Sequence, residues 1–99
     1  MFVSNMIGNT GNPIVNQFVI TDEASQTSYF QSYDTIVAKM SRKGDYMETI
    51  IDTSWDNPRL GGSKTTSKYL ARFLMGPRKI TIDKIHNGVY RIENLNEKG

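Results

Sequence analysis

The chain has 99 residues, no cysteine and a net charge of +2 at pH 7. This length fits one domain, and the lack of cysteine excludes a disulfide framework and a thiolate site. No apolar run reaches the roughly 18 residues of a membrane-spanning helix, and the first residues lack the basic region of a signal peptide. We therefore expect one soluble domain, residues 1–99, in a reducing cytoplasm.

The first half of the chain has the patterns of β-strands. Residues 1–13 are rich in turn-forming residues and are expected to form a flexible arm or an edge strand in an oligomer. In the β-rich part that follows, residues 14–52, apolar and aromatic side chains tend to alternate with polar ones. The strands are predicted at 14–21, 28–33, 35–40 and 46–52, with Met47, Thr49 and Ile51 of the last strand facing the core.

Residues 63–88 are the predicted helical part. Ser63 or Thr65 can cap the N-terminus of a first helix, which Gly76-Pro77 ends. An α-helix turns by about 100° per residue, and this rotation places a set of mainly apolar residues on one face of the helix: Thr66, Tyr69, Leu70, Phe73 and Leu74. A short second helix is predicted from Ile80 to Asn87, and residues 89–93 are expected to form a closing strand.

The order of these elements indicates an α+β fold. We expect an antiparallel sheet of four to five strands, with the two helices forming an αα-hairpin that packs on one face of the sheet. A domain this short buries only roughly 60–65% of the surface of its unfolded chain, so we also expect a homodimer or a higher homo-oligomer.

Basic charge is concentrated in the helical part. From Met1 to Ala38 there is no Lys or Arg, whereas seven basic residues and a single acid, Asp83, lie between Arg59 and Lys84. Such a one-sided field attracts phosphates or an acidic protein surface. The candidate binding residues are Lys64, Lys68, Arg72, Arg78, Lys79 and Lys84; the competing interpretation is an ordinary solvated helix face.

The two helices also resemble a helix-turn-helix, in which Arg78, Lys79 and Thr81 would begin the recognition helix. If Gly76 is the turn glycine, however, Arg72 falls where the helices should touch and a small residue is expected. Pro77 is also unusual directly after that glycine. An αα-hairpin without DNA recognition is the commoner arrangement.

No catalytic, metal or cofactor motif is found, and we predict that the protein is not an enzyme. The segment Gly61–Thr66 departs from the phosphate-loop pattern because Ser63 separates Gly62 from Lys64. An ordinary capped helix start is the simpler interpretation, although two subunits could still cradle a phosphorylated nucleotide there. His86 is the only histidine, and no cysteine exists to complete a metal site with it.

The chain resembles a group of small bacteriophage proteins, mostly of unknown function. The resemblance covers about residues 28–96 and depends on four segments, although an insert at residues 57–63 departs from the group. The segments are Phe30–Ala38, Trp55-Asp56, Thr65–Leu74 and Asn94–Asn96.

The resemblance implies phage origin and a role in the cytoplasm of an infected bacterium. Small phage proteins without catalytic motifs often inhibit host machinery, including defence systems such as CRISPR effectors. The first hypothesis is therefore a non-enzymatic, anti-CRISPR type inhibitor that binds a host protein or protein–nucleic acid complex. The alternatives are direct binding of DNA or RNA through residues 64–84, or sequestration of a phosphorylated nucleotide.

Overall fold

The computed structural model describes residues 1–57, 59 and 62–96. They form an α+β fold, as the sequence predicts, but with six strands rather than four to five. In chain order the elements are β1 (Phe2–Ile7), β2 (Pro13–Asp22), β3 (Thr27–Ser32), β4 (Thr35–Lys43), β5 (Tyr46–Asp52), α1 (Lys64–Leu74), α2 (Arg78–His86) and β6 (Tyr90–Glu93). Neither helix of this described part is long and apolar enough to cross a membrane.

The six strands form one sheet in which every strand lies beside its neighbours in the sequence. The first five strands are antiparallel, as short hairpin connections allow. β6 instead pairs in parallel with β5, with Thr49 opposite Tyr90 and Ile51 opposite Ile92. Both helices lie in the long connection that a parallel pairing requires.

The additional strand, β1, is the edge strand of the sheet, so of the two expectations for residues 1–13 the edge strand holds for residues 2–7 and the flexible arm does not. It pairs with β2 of the same chain, with Phe2 opposite Thr21 and Asn5 opposite Phe18. The pairing is irregular between Asn5 and Ile7, because several residues of β2 oppose this short piece of β1. Asn16 takes a positive φ of 63° in this bulge. The Asn5 side-chain amide holds the bulge by donating to the Ile14 carbonyl at 3.0 Å.

The core lies between the sheet and α1. The rings of Phe30 in β3 and Phe73 in α1 stack with their centroids 5.8 Å apart. The other buried members of this core are Val37, Ala38, Ile51, Leu70 and Tyr90. The predicted inner face of α1 is confirmed at Thr66, Leu70 and Phe73, which are buried, while Tyr69 and Leu74 are half-buried.

The predicted inner face of β5 is only partly correct. Thr49 and Ile51 are buried, but Met47 is 48% exposed. Met47 pairs with Arg42 near the turn of the β4–β5 hairpin, where the neighbouring side chains are also exposed. Ile50 is buried although it points to the opposite face. Burial here therefore follows the distance from the hairpin turn as well as the alternation along the strand.

The helix boundaries differ from the predicted ones at the junction of α1 and α2. Ser63 caps α1 as predicted, since its Oγ accepts the Thr66 N–H at 3.1 Å. α1 ends at Leu74, and the left-handed residue that follows it is Met75 (φ 59°, ψ 37°), one position before the predicted Gly76. α2 begins at Arg78 rather than Ile80, since the Pro77 carbonyl already accepts the N–H groups of Ile80 and Thr81.

Met75→Gly is expected to raise the free energy of unfolding by about 0.5–1 kcal/mol. The Gly76 N–H bonds to the Ala71 carbonyl and the Met75 N–H to the Arg72 carbonyl, so Met75 occupies the position of a Schellman motif where glycine is favoured. Its side chain is 92% exposed, so little packing is lost. Urea denaturation of the wild type, Met75→Gly and Met75→Ala measures the effect. Equal stability of the two variants would contradict a backbone origin.

Candidate basic binding surface

The outer side of α1 carries three of the predicted binding residues. Lys64, Lys68 and Arg72 are exposed, on the side of the helix opposite the buried Leu70 and Phe73. Their spacing of four residues keeps them in one row along the helix, because an α-helix repeats every 3.6 residues. The predicted basic stripe of α1 is therefore present.

Arg78 lies against the flank of α1 beside this row, through contacts that the sequence did not predict. The carbon of its guanidinium lies 4.7 Å from the centroid of the Trp55 ring. One of its N–H groups lies 3.5 Å from Oγ of Ser67, which belongs to α1. These contacts turn the first residue of α2 back toward α1. Lys79, the next residue, is exposed. We call Lys64, Lys68, Arg72, Arg78 and Lys79 together the basic surface.

Lys84 is not part of the basic surface. It is half-buried, and its Nζ lies 5.2 Å from the centroid of the Tyr90 ring in β6. Lys79 and Lys84 are five residues apart in α2, and this spacing places them on different sides of the helix. The sixth predicted binding residue therefore lies beside the sheet.

Aromatic rings support the cations of the basic surface. Nζ of Lys68 and the guanidinium of Arg72 lie 5.4 Å and 5.8 Å from the centroid of Tyr69. With Arg78 over Trp55, three of the five cations lie over rings. Cation–π attraction is worth about 0.5–1 kcal/mol at exposed sites. The sequence placed Tyr69 on the apolar face of α1 and did not predict its contact with cations, and no local pattern connects Trp55 with Arg78.

The charge of the basic surface is not neutralised by carboxylates within the described ranges. There, ion pairs join only Arg91 with Glu48 and Glu93, at the β5–β6 edge of the sheet. Arg72 has a further contact, since its guanidinium donates to the Ile7 carbonyl of β1 at 2.7 Å. It therefore ties α1 to the first strand as well as contributing charge.

The start of α1 is capped by Ser63, one of the two predicted capping residues. The Ser63 hydroxyl accepts from the Thr66 N–H and donates to Oγ1 of Thr66 at 2.8 Å. Gly62 lies so close to Trp55, Asp56 and Asn57 that an added Cβ would meet their backbone atoms at 2.6 Å. The glycine is thus needed for close packing of the loop. Gly61, the other glycine of the phosphate-loop comparison, lies outside the described residues.

A second polar region surrounds Asp52 at the end of β5. A depression of about 400 Å³ is lined by Asp34, Asp52, Asn94 and Asn96, among other polar residues. Asp52 is only 2% exposed. Its carboxylate accepts the Leu95 N–H at 2.7 Å and both the N–H and the hydroxyl of Ser54.

These contacts make Asp52 a structural residue. Burial raises the pKa of Asp52, but the hydrogen bonds from Ser54 and Leu95 outweigh it and hold the pKa below its ordinary value. A carboxylate whose oxygens are already occupied by three donors is poorly suited to proton transfer. His86 is exposed on α2, and the described part of the chain has no group of three or more residues suited to a metal ion.

Comparison with known proteins identifies a family. No curated protein and no solved structure matches the chain. The model of a family of unknown function, DUF8033, matches residues 1–87, which is most of the chain. The chain therefore belongs to the DUF8033 family.

Proposed function

We propose that this protein is a non-enzymatic binding protein whose basic surface contacts the phosphates of a nucleic acid. The observation that carries the proposal is the row of exposed cations on α1, extended by the first residues of α2, without carboxylate partners in the described part. In this proposal, both helices pack on one face of the sheet. Contacts of Phe73 and Ile85 with the same core cluster support this arrangement.

The stacked cations suit phosphate binding for two reasons. Each cation that neutralises a phosphate releases condensed counterions, which favours association. The rings of Tyr69 and Trp55 already restrict the side chains above them, so less conformational freedom is lost when a phosphate arrives. Lys68, Arg72 and Arg78 are the residues with this support.

The position of the turn between the helices supports a nucleic-acid contact through the first residues of α2. The left-handed residue is Met75, not Gly76, so a helix-turn-helix comparison shifts by one position. Four residues before it lies Ala71, a small residue, which shares a small cavity with Arg78 and Thr81 of α2. The objection raised by Arg72 therefore no longer applies. Asp83 is exposed further along α2 and would repel phosphates, so we place the contact at Arg78 and Lys79.

Lys64→Glu/Lys68→Glu is expected to weaken binding of a labelled DNA duplex at least about tenfold at low salt. The slope of the logarithm of affinity against the logarithm of salt concentration should fall by about two. Within residues 1–57, 59 and 62–96, neither lysine side chain forms a hydrogen bond to another element, and Glu near the start of α1 suits the helix dipole. Fluorescence anisotropy at several salt concentrations, with duplex and single-stranded probes, measures both effects.

The matched control is Arg42→Glu/Lys43→Glu, which changes the net charge by the same amount. Both residues are exposed at the β4–β5 hairpin, away from the basic surface. This variant should keep nearly the affinity and salt slope of the wild type. Equal losses in the two double variants would mean that net charge alone drives binding. Wild-type protein without salt-dependent binding to either probe would also overturn the proposal.

The second candidate function is inhibition of a host protein–nucleic acid complex, for example a CRISPR effector. The resemblance to phage proteins favours it, and so does one feature of the surface. Met75 and Ile80 are 92% and 41% exposed beside the basic surface, and protein interfaces combine such apolar contacts with a polar rim. The test is to capture a host complex from nuclease-treated bacterial lysate with the wild-type protein. The function is supported if the Ile80→Glu variant no longer captures the complex and the Val15→Glu variant still does. Capture of none would contradict it.

A further inference from the structure

The first strand presents an unusual sheet edge. β1 is six residues long and carries no charge and no proline. Phe2 and Val3 are 50% and 60% exposed, and Ile7 is also exposed. Proteins normally protect an edge strand with charges, proline or short length, because its free backbone groups pair readily with another strand. β1 has none of these protections apart from the bulge at its C-terminal end.

The opposite edge of the same sheet is protected. β6 has only four residues, and two of them are charged. Arg91 lies between Glu48 and Glu93 and forms ion pairs with both. The contrast indicates that the two edges have different roles: β6 ends the sheet, whereas β1 can extend it.

The end of β1 restricts which residues can pair. The Ile7 carbonyl accepts a hydrogen bond from Arg72, so this end of the strand is already occupied by α1. The available edge is therefore residues 2–6. Phe2, Ser4 and Met6 share the face on which α1 packs, because alternate residues of a strand point to the same side. Met6 already contacts the core cluster.

We propose that two copies of the chain pair antiparallel through β1, about a two-fold axis that passes through Ser4. This register places Phe2 of one copy opposite Met6 of the other, twice by symmetry, and extends the apolar face across the junction. It brings no charged residues of β1 together, because β1 has none. An uncharged, self-complementary edge suits a second copy better than a charged strand from another protein.

The test introduces a charge on the axis itself. Ser4→Lys places two lysines directly opposite each other, and Ser4→Glu does the same with two carboxylates. Like charges facing each other at an interface oppose association. We expect the wild type to be a dimer by sedimentation velocity, and each variant to have a dimer dissociation constant at least about tenfold higher. Mixing the two variants should restore a one-to-one dimer, because Lys then faces Glu.

Val15→Lys is the matched control, since it adds the same charge at an exposed apolar position of β2. It should remain a dimer. Circular dichroism of each variant checks the fold, and recovery in the mixture excludes unfolding as the cause of dissociation. A monomeric wild type would overturn the proposal. So would a Ser4→Lys variant that dimerises like the wild type, or a mixture that stays monomeric.

Discussion

Gln17→Met is expected to raise the free energy of unfolding by about 1–3 kcal/mol. Gln17 lies in the bulge of β2 and is completely buried, yet neither its amide nitrogen nor its amide oxygen has a hydrogen-bond partner among the described residues. A buried amide without partners carries a desolvation cost that hydrogen bonds do not offset. Methionine has a similar length and no amide, so it removes this cost and still fills the site.

Thermal and urea denaturation measure the effect, and about 1 kcal/mol corresponds to roughly 4–8 °C in Tm for a chain of this size. Gln31→Met is the matched control. Gln31 is in β3 of the same sheet, but its amide nitrogen donates to the Tyr33 carbonyl at 2.7 Å. The control should therefore be neutral or destabilised. A loss of stability in Gln17→Met would show that the Gln17 amide is satisfied in solution.

Asp52→Asn is expected to lower the free energy of unfolding by about 1.5–3 kcal/mol at neutral pH, as is usual for hydrogen bonds to a charged group. Asp52 accepts from Leu95 and Ser54 and so joins the end of β5 to the chain beyond β6. Asparagine would replace one carboxylate oxygen with an NH₂ group, which cannot accept a hydrogen bond from these donors. Asp56→Asn, an exposed position in the following loop, is the control and should change little.

The contribution of Asp52 to the free energy of unfolding should also depend on pH and decrease in acid. The pKa of Asp52 is lowered in the folded state, so the ionised carboxylate favours folding. This contribution is complete above the ordinary carboxyl pKa of about 3.9 and is lost as the pH falls through the lower folded-state value. The stability difference between wild type and Asp52→Asn should therefore be constant above about pH 5 and shrink in acid. A difference that does not change with pH would contradict this account.

The helix α1 shows what the sequence could predict. Its buried positions, Thr66, Leu70 and Phe73, recur with the helical period, and its cap, Ser63, stands directly before it. Both signals are local, so they can be read from neighbouring residues. The basic row of Lys64, Lys68 and Arg72 follows from the same period. The sequence points to Gly76 as the residue that ends α1, but the left-handed position after the helix is taken by an exposed methionine, Met75, one residue earlier.

The features that sequence reasoning missed depend on distant contacts. For residues 1–13 the turn-forming residues left a flexible arm and an edge strand both open, and only the paired register shows that β1 joins β2 of its own chain and that a bulge surrounds Gln17. Arg78 stacks on Trp55, and nothing near either residue indicates the other. Such contacts are decided by tertiary packing, which overrides local preference.

The parallel pairing of β6 with β5 has a consequence for the order of folding. Within the sheet, strands β1 to β5 pair only with strands that are adjacent in the sequence, so residues 2–52 can pair by short loop closures as the chain leaves the ribosome. The β5–β6 contact must wait for residues 53–89. Until then, Phe30 and Ile51 face solvent on an incomplete sheet, a state that favours misassembly. Docking of α1 is the step that covers this apolar face, because Phe73 and Leu70 pack on Phe30 and Ile51.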